Sequence, residues 1–272
     1  MKEWDLTQAE IQKRLENMVW SFSRLNSANQ CKYAWYLHYI CGKKGVENGF
    51  AQFGIAVHET LEKFLKDEIS IFEASEYYQE KFGEYVTSKF PYNKSSDLRE
   101  NAFQEGLNYF NQLTFDLNKY EILGVENEIE FKIGGIYPAK GYIDLAFKDK
   151  DTGDIIISDH KTAKLKFLKD GVTLSRQKSE REHFLAFKRQ LYLYSIAGKE
   201  LWGKVDKLRW NLIRLNRDLV IPYNEEEFKE AEEWAIKTIE EVKNEIMWLP
   251  DVSETYFCNT LCDNRMDCTY RE

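Results

Sequence analysis

Residues 155–161 read Ile-Ile-Ile-Ser-Asp-His-Lys, an apolar run that ends in Asp159 and Lys161. Such a run predicts a buried β-strand. Side chains two positions apart in a strand point to the same face, so Asp159 and Lys161 emerge together. Charges at the end of a buried strand are costly unless a metal ion or a substrate phosphate compensates them. The stretch therefore indicates a functional site at this strand end.

A second predicted strand carries another acid, Asp144, between Ile143 and Leu145. The interval from Asp144 to Asp159 contains the turn sequence Lys-Asp-Thr-Gly-Asp, which brings the two carboxylates close if the strands are antiparallel neighbours. Two close carboxylates repel unless a divalent cation lies between them, and oxygen ligands suit Mg²⁺ or Mn²⁺. A lysine beside them can orient a metal-bound water or stabilise charge on a phosphate. Taken singly, each aspartate is more often the cap of a turn.

Hydrophobic periodicity divides the chain into a helical first part and an α/β core. Residues 1–118 are predicted mostly helical, with a capping box at 7–10 and helices within 21–40, 53–69, 71–90 and 97–118. Strands are predicted at 120–133, 140–149 and 155–161, and then a helix at 182–202. A second hairpin is predicted from 207–215 and 218–224, and a long helix at 225–249 that Pro250 ends.

The distribution of charge leaves room for a polyanionic partner, although the net charge is −8. Residues 161–189 hold nine Lys and Arg against three Asp and Glu, so this segment carries +6 and the remainder −14. Local charge decides where a polyanion docks. A solvated loop is the alternative reading of such a run.

The chain has five cysteines, and three of them lie within eleven residues near its end. An odd count without a leader argues against a disulfide framework and suggests a metal or a cluster. The start of the chain is charged, and no apolar run approaches the roughly 18 residues of a membrane helix. We therefore expect a cytoplasmic protein, in a host's cytoplasm if it is viral, with no membrane partner.

The motifs together resemble the PD-(D/E)xK nuclease superfamily, in its RecB-like exonuclease branch. Gly-Tyr-Ile-Asp at 141–144 with Asp-His-Lys at 159–161 is similar to the acidic signature of these enzymes, and Phe-Gly-Ile-Ala-Val-His at 53–58 to their metal-binding histidine helix. Gln-Leu-Tyr-Leu-Tyr at 190–194 resembles their Q-x-x-x-Y helix, and residues 21–39 resemble their N-terminal serine and cysteine segment. The resemblance implies a restriction-endonuclease-like α/β fold, with a mixed sheet flanked by helices, a helical N-terminal part and a cysteine-bearing tail.

The resemblance also implies the roles of individual residues. One or two cations, Mg²⁺ or Mn²⁺, would be held by His58, Glu126 (with Glu128 second), Asp144, Asp159 and the His160 carbonyl. Catalysis would fall to Asp144, Asp159 and Lys161, with a metal-activated water that hydrolyses a DNA phosphodiester bond. Gln190 and Tyr194, which share a helix face, would hold the substrate strand. A histidine on a helix is more often structural, and a tyrosine at helical spacing more often belongs to the core.

Part of the RecB-like branch, including AddB-type and CRISPR-adaptation nucleases, holds a [4Fe–4S] cluster with one N-terminal and three C-terminal cysteines. Its ligands here would be Cys31, Cys258, Cys262 and Cys268, with zinc or unligated thiols as the alternatives. The interval between Cys258 and Cys262 has three residues where the family has two. Cys41 has no assigned role.

We expect one nuclease domain over 1–272, with a helical part at 1–118, a nuclease core at 119–250 and a tail at 251–272 that packs with Cys31. The expected activity is that of a DNA exonuclease on ends or single strands, and a compact endonuclease is the alternative within the same chemistry. A non-catalytic DNA-end-binding module for recombination or repair, and an iron–sulfur redox or sensor protein, are alternatives of other classes. A helicase, a recombinase or a CRISPR integrase is a further possible partner.

Overall fold

The computed structural model describes residues 6–116, 118–169 and 173–270. Parts of three predicted regions lie outside these ranges: positions 1–5 and 117 of the helical part, 170–172 of the basic segment and 271–272 of the tail. The chain divides into two compact units. The first holds 1–47, 130–141 and 226–272, and the second holds 48–129 and 142–225. The single domain predicted over 1–272 stays a prediction.

The five strands form one mixed sheet, in the order β1-β2-β3-β4-β5. Its strands are β1 (Tyr120–Ile133), β2 (Tyr137–Asp149), β3 (Ile155–Lys161), β4 (Lys207–Leu212) and β5 (Arg217–Pro222). Gly134 and Gly135, with φ of 58° and 69°, allow the tight turn between β1 and β2. The three strands predicted at 120–133, 140–149 and 155–161 are confirmed, and so is the predicted α/β class.

The central strand β3 pairs antiparallel with β2 and parallel with β4. Leu145 on β2 lies opposite Ser158 on β3. Asp144 and Asp159 each directly adjoin this pair, on the same side of it, so they lie beside each other on adjacent strands. Helix α7 (Lys178–Trp202) makes the crossover that a parallel β3–β4 pair requires, and Gly203 ends it with a φ of 80°. The sheet therefore places the predicted acids at neighbouring strand positions.

Three helices of the second unit pack around an apolar core: α4 (Gly49–Leu65), α5 (Ala74–Tyr85) and α6 (Leu98–Asn111). Helix α4 begins four residues before the predicted start, because the side chain of Asn48 accepts hydrogen bonds from the Phe50 and Ala51 amides. Its apolar face is buried along Phe53, Val57 and Leu61. That packing fixes the rotation of α4 and hence the direction of its histidine.

The first unit contains α1 (Gln8–Glu16), α2 (Phe22–Gln30), α3 (Lys32–Trp35) and α8 (Glu225–Lys243), of which residues from 226 belong to this unit. The capping box at Thr7 and Glu10 is confirmed. The predicted end of the last helix at Pro250 is wrong, because the chain leaves the helix after Lys243. There the Glu245 carboxylate accepts from the Ile246 and Met247 amides, which competes with helical pairing. Among the described residues, no helix combines the length and apolarity needed to cross a membrane.

Candidate metal centre and active site

His58 projects from α4 towards strands β1, β2 and β3. Its Nε2 lies 2.9 Å from the carbonyl oxygen of His160, and its Nδ1 lies 3.4 Å from Glu126 Oε1 and 3.7 Å from Asp144 Oδ2. The ring is half-buried, with 33% of the side chain exposed. The histidine therefore faces two carboxylates and a carbonyl oxygen, a set of groups that attracts a cation.

Glu126 reaches this position through an unusual backbone conformation. Its φ is +50°, in the left-handed region that a non-glycine residue in a strand rarely adopts. Such a residue re-aims a side chain in the manner of a β-bulge, and strain of this kind clusters at functional sites. Glu128, two residues on, is exposed instead. Of the two glutamates, Glu126 is thus the one beside His58.

Asp144 lies on β2 and is only 7% exposed. Its Oδ2 accepts a hydrogen bond of 2.6 Å from the backbone N–H of His160 on the neighbouring strand. This contact ties the carboxylate to the same peptide segment whose carbonyl faces His58. The β2–β3 register thus fixes an acid and a backbone oxygen side by side.

One ligand atom each from His58, Glu126 and Asp144 lies within 4.8 Å of the others. An octahedral cation with bonds of about 2.1 Å holds adjacent ligands about 3 Å apart and opposite ligands about 4.2 Å apart. Two carboxylates and a carbonyl oxygen supply hard oxygen donors, and one imidazole adds a single nitrogen. This set of ligands suits Mg²⁺ or Mn²⁺. The residues therefore fit a divalent cation.

The same crowding shifts the proton affinities of the site. Burial lowers the pKa of His58, but the Asp144, Glu126 and Asp159 carboxylates outweigh it and raise that pKa to about 9. Burial raises the pKa of Asp144 to about 7, while the positive charge of His58 opposes the rise. Without a cation, His58 therefore acts as the positive charge among the acids.

Asp159, at the end of β3, belongs to a second group of side chains. Lys161 Nζ lies 2.7 Å from Asp159 Oδ2 and donates a 2.7 Å hydrogen bond to Gln190 Oε1. The Gln190 amide in turn donates a 2.8 Å hydrogen bond to Asp159 Oδ1. The three side chains form a closed ring of contacts, so the emergence of Asp159 and Lys161 on one face is confirmed. A role of Asp159 as metal ligand stays a prediction.

Gln190 and Tyr194, the pair predicted to hold the substrate strand, have different surroundings in the structure. Gln190 contacts Asp159 and Lys161, which makes it a residue that positions the lysine. Tyr194, one turn further along α7, is 6% exposed, and burial raises its pKa. Asp159 and Asp144 raise that pKa further, so the phenol faces the acids. Contact of either side chain with substrate stays a prediction.

A buried hydrogen-bonded network beneath His160 was not foreseen from the sequence. Asn211 on β4 lies opposite His160, and its Nδ2 donates to His160 Nδ1 at 3.0 Å and to the Tyr109 hydroxyl at 2.6 Å. Asn211 is 2% exposed. The available signal was an asparagine inside the apolar stretch Trp-Asn-Leu-Ile, since a buried amide requires partners.

Replacement of this amide is expected to destabilise the fold. In Asn211→Ala the His160 ring and the Tyr109 hydroxyl lose their shared partner, so the free energy of unfolding should fall by about 1–3 kcal/mol. Urea denaturation followed by circular dichroism measures the change. Asn101→Ala, at an exposed position of α6, is the control and should shift stability by less than about 0.5 kcal/mol. Equal free energies of unfolding for the two variants would show that the network does not stabilise the fold.

The four predicted cluster ligands all belong to the first unit. Cys31 caps α3, and its Sγ accepts from the backbone N–H of Asp251 at 3.5 Å, while Cys258 Sγ donates to the Asp251 carbonyl at 3.5 Å. Asn264 in the tail donates a 3.2 Å hydrogen bond to the Ala34 carbonyl. These contacts bring the cysteine tail against the helix that begins at Cys31.

The thiols of this group influence one another electrostatically. Burial raises the pKa of Cys258, and neighbouring Cys31 and Cys268 raise it further. Burial likewise raises the pKa of Cys262, with added effects from Cys31 and Cys258. Within the part of the chain that the structure describes, however, no three sulfurs lie within 4.8 Å of one another. A single zinc ion holds its sulfurs about 3.8 Å apart, so the spacing is wider than a preformed zinc site requires.

Comparison with known proteins gives a family and a fold. Residues 19–271 match the family model described as "PD-(D/E)XK nuclease superfamily". Seventeen solved chains are similar, among them a Eubacterium rectale protein described as "Putative exonuclease". That protein is 15% identical, with a TM-score of 0.54, and the match covers 98% of this chain and 95% of the other. No curated protein matches the chain. The structural likeness confirms the restriction-endonuclease-like fold.

Proposed function

Because the chain belongs to the PD-(D/E)XK nuclease superfamily, we propose that it is a metal-dependent DNA exonuclease that hydrolyses phosphodiester bonds at DNA ends or in single strands. The observation that carries this proposal is the convergence of His58, Glu126 and Asp144 on one small volume, within 4.8 Å. The description of the similar Eubacterium rectale protein agrees with exonuclease action.

In this proposal each group has a distinct task. His58, Glu126, Asp144 and the His160 carbonyl hold the cation, and Asp159 joins them. When bound, the cation supplies the positive charge that offsets developing negative charge on the phosphate oxygens. Lys161 is fixed by Asp159 and Gln190, and its remaining N–H can donate to the attacking water or to a phosphate oxygen.

The basic segment that follows Lys161 is proposed to contact the DNA backbone. In its described part, residues 166–168 pair antiparallel with residues 173–175, and Leu168 N–H donates to the Thr173 carbonyl at 2.7 Å. The side chain of Lys166 is 70% exposed. Exposed cations of this kind bind phosphates without reading sequence, so binding should weaken as salt rises.

The test is incubation of the purified protein with end-labelled linear and single-stranded DNA, with Mg²⁺, with Mn²⁺ or with EDTA. We expect the labelled DNA to be shortened with either metal and to stay intact in EDTA. Products that shorten from the ends support exonuclease action, and internal products support an endonuclease. Retention of DNA without cleavage in both metals would overturn the enzyme and favour the non-catalytic end-binding module.

We also propose that Cys31, Cys258, Cys262 and Cys268 bind a [4Fe–4S] cluster. The shared contacts of Cys31 and Cys258 with Asp251 and the mutual electrostatic effect of the thiols support it. Such a cluster would tie the helix at Cys31 to the C-terminal tail and would restrict the unfolded chain.

The two glutamates of β1 provide a matched test of the cation site. Glu126→Gln removes a charge beside His58 and should weaken Mn²⁺ binding by about 10- to 100-fold, the scale seen when metal-site groups are altered. Glu128→Gln removes the same charge two residues away, at an exposed position, and should change affinity by less than about threefold. Isothermal titration with Mn²⁺ measures both. A larger loss in Glu128→Gln would reassign the ligand.

Cation binding is expected to strengthen with pH. With a pKa of about 9, His58 carries a proton at neutral pH, and Asp144, with a pKa of about 7, is partly protonated. Both protons must leave before the groups bind a cation. Mn²⁺ affinity should therefore rise between pH 6.5 and pH 9, with proton release that isothermal titration detects in buffers of different ionisation enthalpy. Affinity that is flat across this range would contradict the assignment.

A further inference from the structure

An open concavity of about 860 Å³ lies in the second unit, away from the residues discussed so far. It is lined by residues 87–99, here called loop 87–99, which comprise the connection from α5 to α6 and the first two residues of α6. This loop contains Lys89, Phe90, Tyr92, Lys94 and Arg99, and with Asp97 its net charge is +2. A cationic, aromatic loop stands out in a chain whose net charge is −8.

The base of the loop is fastened to the first turns of α4. Gln52 Oε1 accepts hydrogen bonds from the Thr87 amide at 3.0 Å and the Ser88 amide at 2.7 Å. The Phe90 ring packs edge-on against Phe50, with centroids 4.8 Å apart. It also lies so close to Gly49 that a Cβ there would fall 2.4 Å from the ring. The loop is therefore a built feature with a fixed position on α4.

Tyr92 lies beyond this anchored base and is 88% exposed. Its ring is therefore open to stack on a ligand. Lys89 and Lys94 are exposed on either side of it. Arg99 stacks on the Phe82 ring at 5.1 Å, which keeps a further cation at the loop end. An aromatic face among cations fits a nucleotide strand, whose bases stack and whose phosphates are anionic.

The same helix connects this loop to the cation site. Gly49 contacts the loop and His58 belongs to the site, nine residues further along α4. At a rise of 1.5 Å per residue, the two positions are about 13–14 Å apart along the helix axis.

We propose that loop 87–99 is a binding subsite for single-stranded nucleic acid, in which Tyr92 stacks on a base and Lys89 and Lys94 contact phosphates. The identity of the strand as the substrate rests on the proposed nuclease function. The subsite would act on binding, not on the chemical step.

The chain offers a matched control for Tyr92. Phe72 is an aromatic residue of the same unit with a similar exposure of 91%. Its neighbours in sequence include Glu68 and Glu73, and no lysine lies within five residues of it on its C-terminal side. General stickiness of exposed rings would affect both positions alike, whereas strand binding would affect Tyr92 alone.

The experiment measures the fluorescence anisotropy of a labelled 12-nucleotide single strand in EDTA, so that binding is separated from cleavage. Tyr92→Ala should weaken binding by about tenfold, the scale of one stacked base. Tyr92→Trp and Phe72→Ala should stay within twofold of the natural chain. An abasic strand of the same length should bind the natural chain and Tyr92→Ala equally.

Unchanged binding in Tyr92→Ala, or an equal loss in Phe72→Ala, would overturn the subsite. Cleavage of bis(p-nitrophenyl) phosphate with Mn²⁺, a phosphodiester without bases, should be the same in Tyr92→Ala and the natural chain. A natural chain that binds the strand through Tyr92 but cleaves neither compound would overturn the nuclease proposal and leave the subsite intact.

Discussion

Lys161→Met is expected to lower DNA cleavage by about 10³-fold, the scale seen when one preorganised donor is removed from an active site. Lys161 Nζ contacts Asp159 Oδ2 and Gln190 Oε1, both at 2.7 Å, and the side chain is only 18% exposed. A methionine fills similar space but cannot donate a hydrogen bond. The measurement is single-turnover cleavage of end-labelled DNA with Mn²⁺, beside a binding assay in EDTA.

Lys164→Met is the matched control, because it removes the same charge three residues further along the basic segment. Lys164 pairs with Glu105 on α6, and 47% of its side chain is exposed. It should keep the single-turnover cleavage rate at saturating protein within about threefold, and any loss should fall on DNA binding in EDTA, because the basic segment is proposed to contact the DNA backbone. Lys161→Arg keeps the positive charge but places it on a planar guanidinium group. This variant should fold normally and still cleave DNA more slowly than the natural chain. Equal cleavage by the Lys161 and Lys164 variants would contradict the assigned role.

Cys262→Ser should abolish the visible chromophore of anaerobically purified protein. A thiolate-bound iron cluster gives broad absorbance near ~400 nm and about four iron atoms per chain. Loss of one of four ligands should remove most of this iron. Metal binding is coupled to folding, so the first unit should also unfold at a lower urea concentration. Absorbance spectra, iron analysis and urea denaturation measure these effects.

Cys41→Ser is the control for the cluster, since Cys41 is not among the four proposed ligands. Burial raises its pKa, and its hydrogen bond with Tyr36 opposes the rise. Iron content and absorbance should stay unchanged in this variant. If the natural chain binds one zinc ion and no iron, the cluster is overturned and the zinc alternative replaces it.

The sheet was predictable from the sequence because each strand follows a local rule. Alternation along 120–133 and the apolar run at 155–157 fix β1 and β3, and Gly153 with a φ of 74° fixes the turn between β2 and β3. The end of α8 was not predictable, because it depends on the Glu245 carboxylate folding back onto two amides. Pro250 limits a helix but does not require that the helix reach it.

The site was predictable in part, for a similar reason. The spacing of Asp159 and Lys161 follows from the period of a strand, which any strand obeys. The meeting of His58 with Glu126 depends on the positive φ of Glu126 and on how α4 packs, and neither follows from local periodicity. The contact of Asn211 with His160 joins residues 51 positions apart through the β3–β4 register.

The central claim is that His58, Glu126 and Asp144 bind one divalent cation that DNA cleavage requires. Crystals soaked in Mn²⁺, measured at the manganese absorption edge, test it most directly. The account predicts an anomalous peak within about 2.0–2.3 Å of a ring nitrogen of His58 and of oxygens from Glu126, Asp144 and the His160 carbonyl. Manganese bound only elsewhere, in protein that cleaves DNA with Mn²⁺, would contradict it.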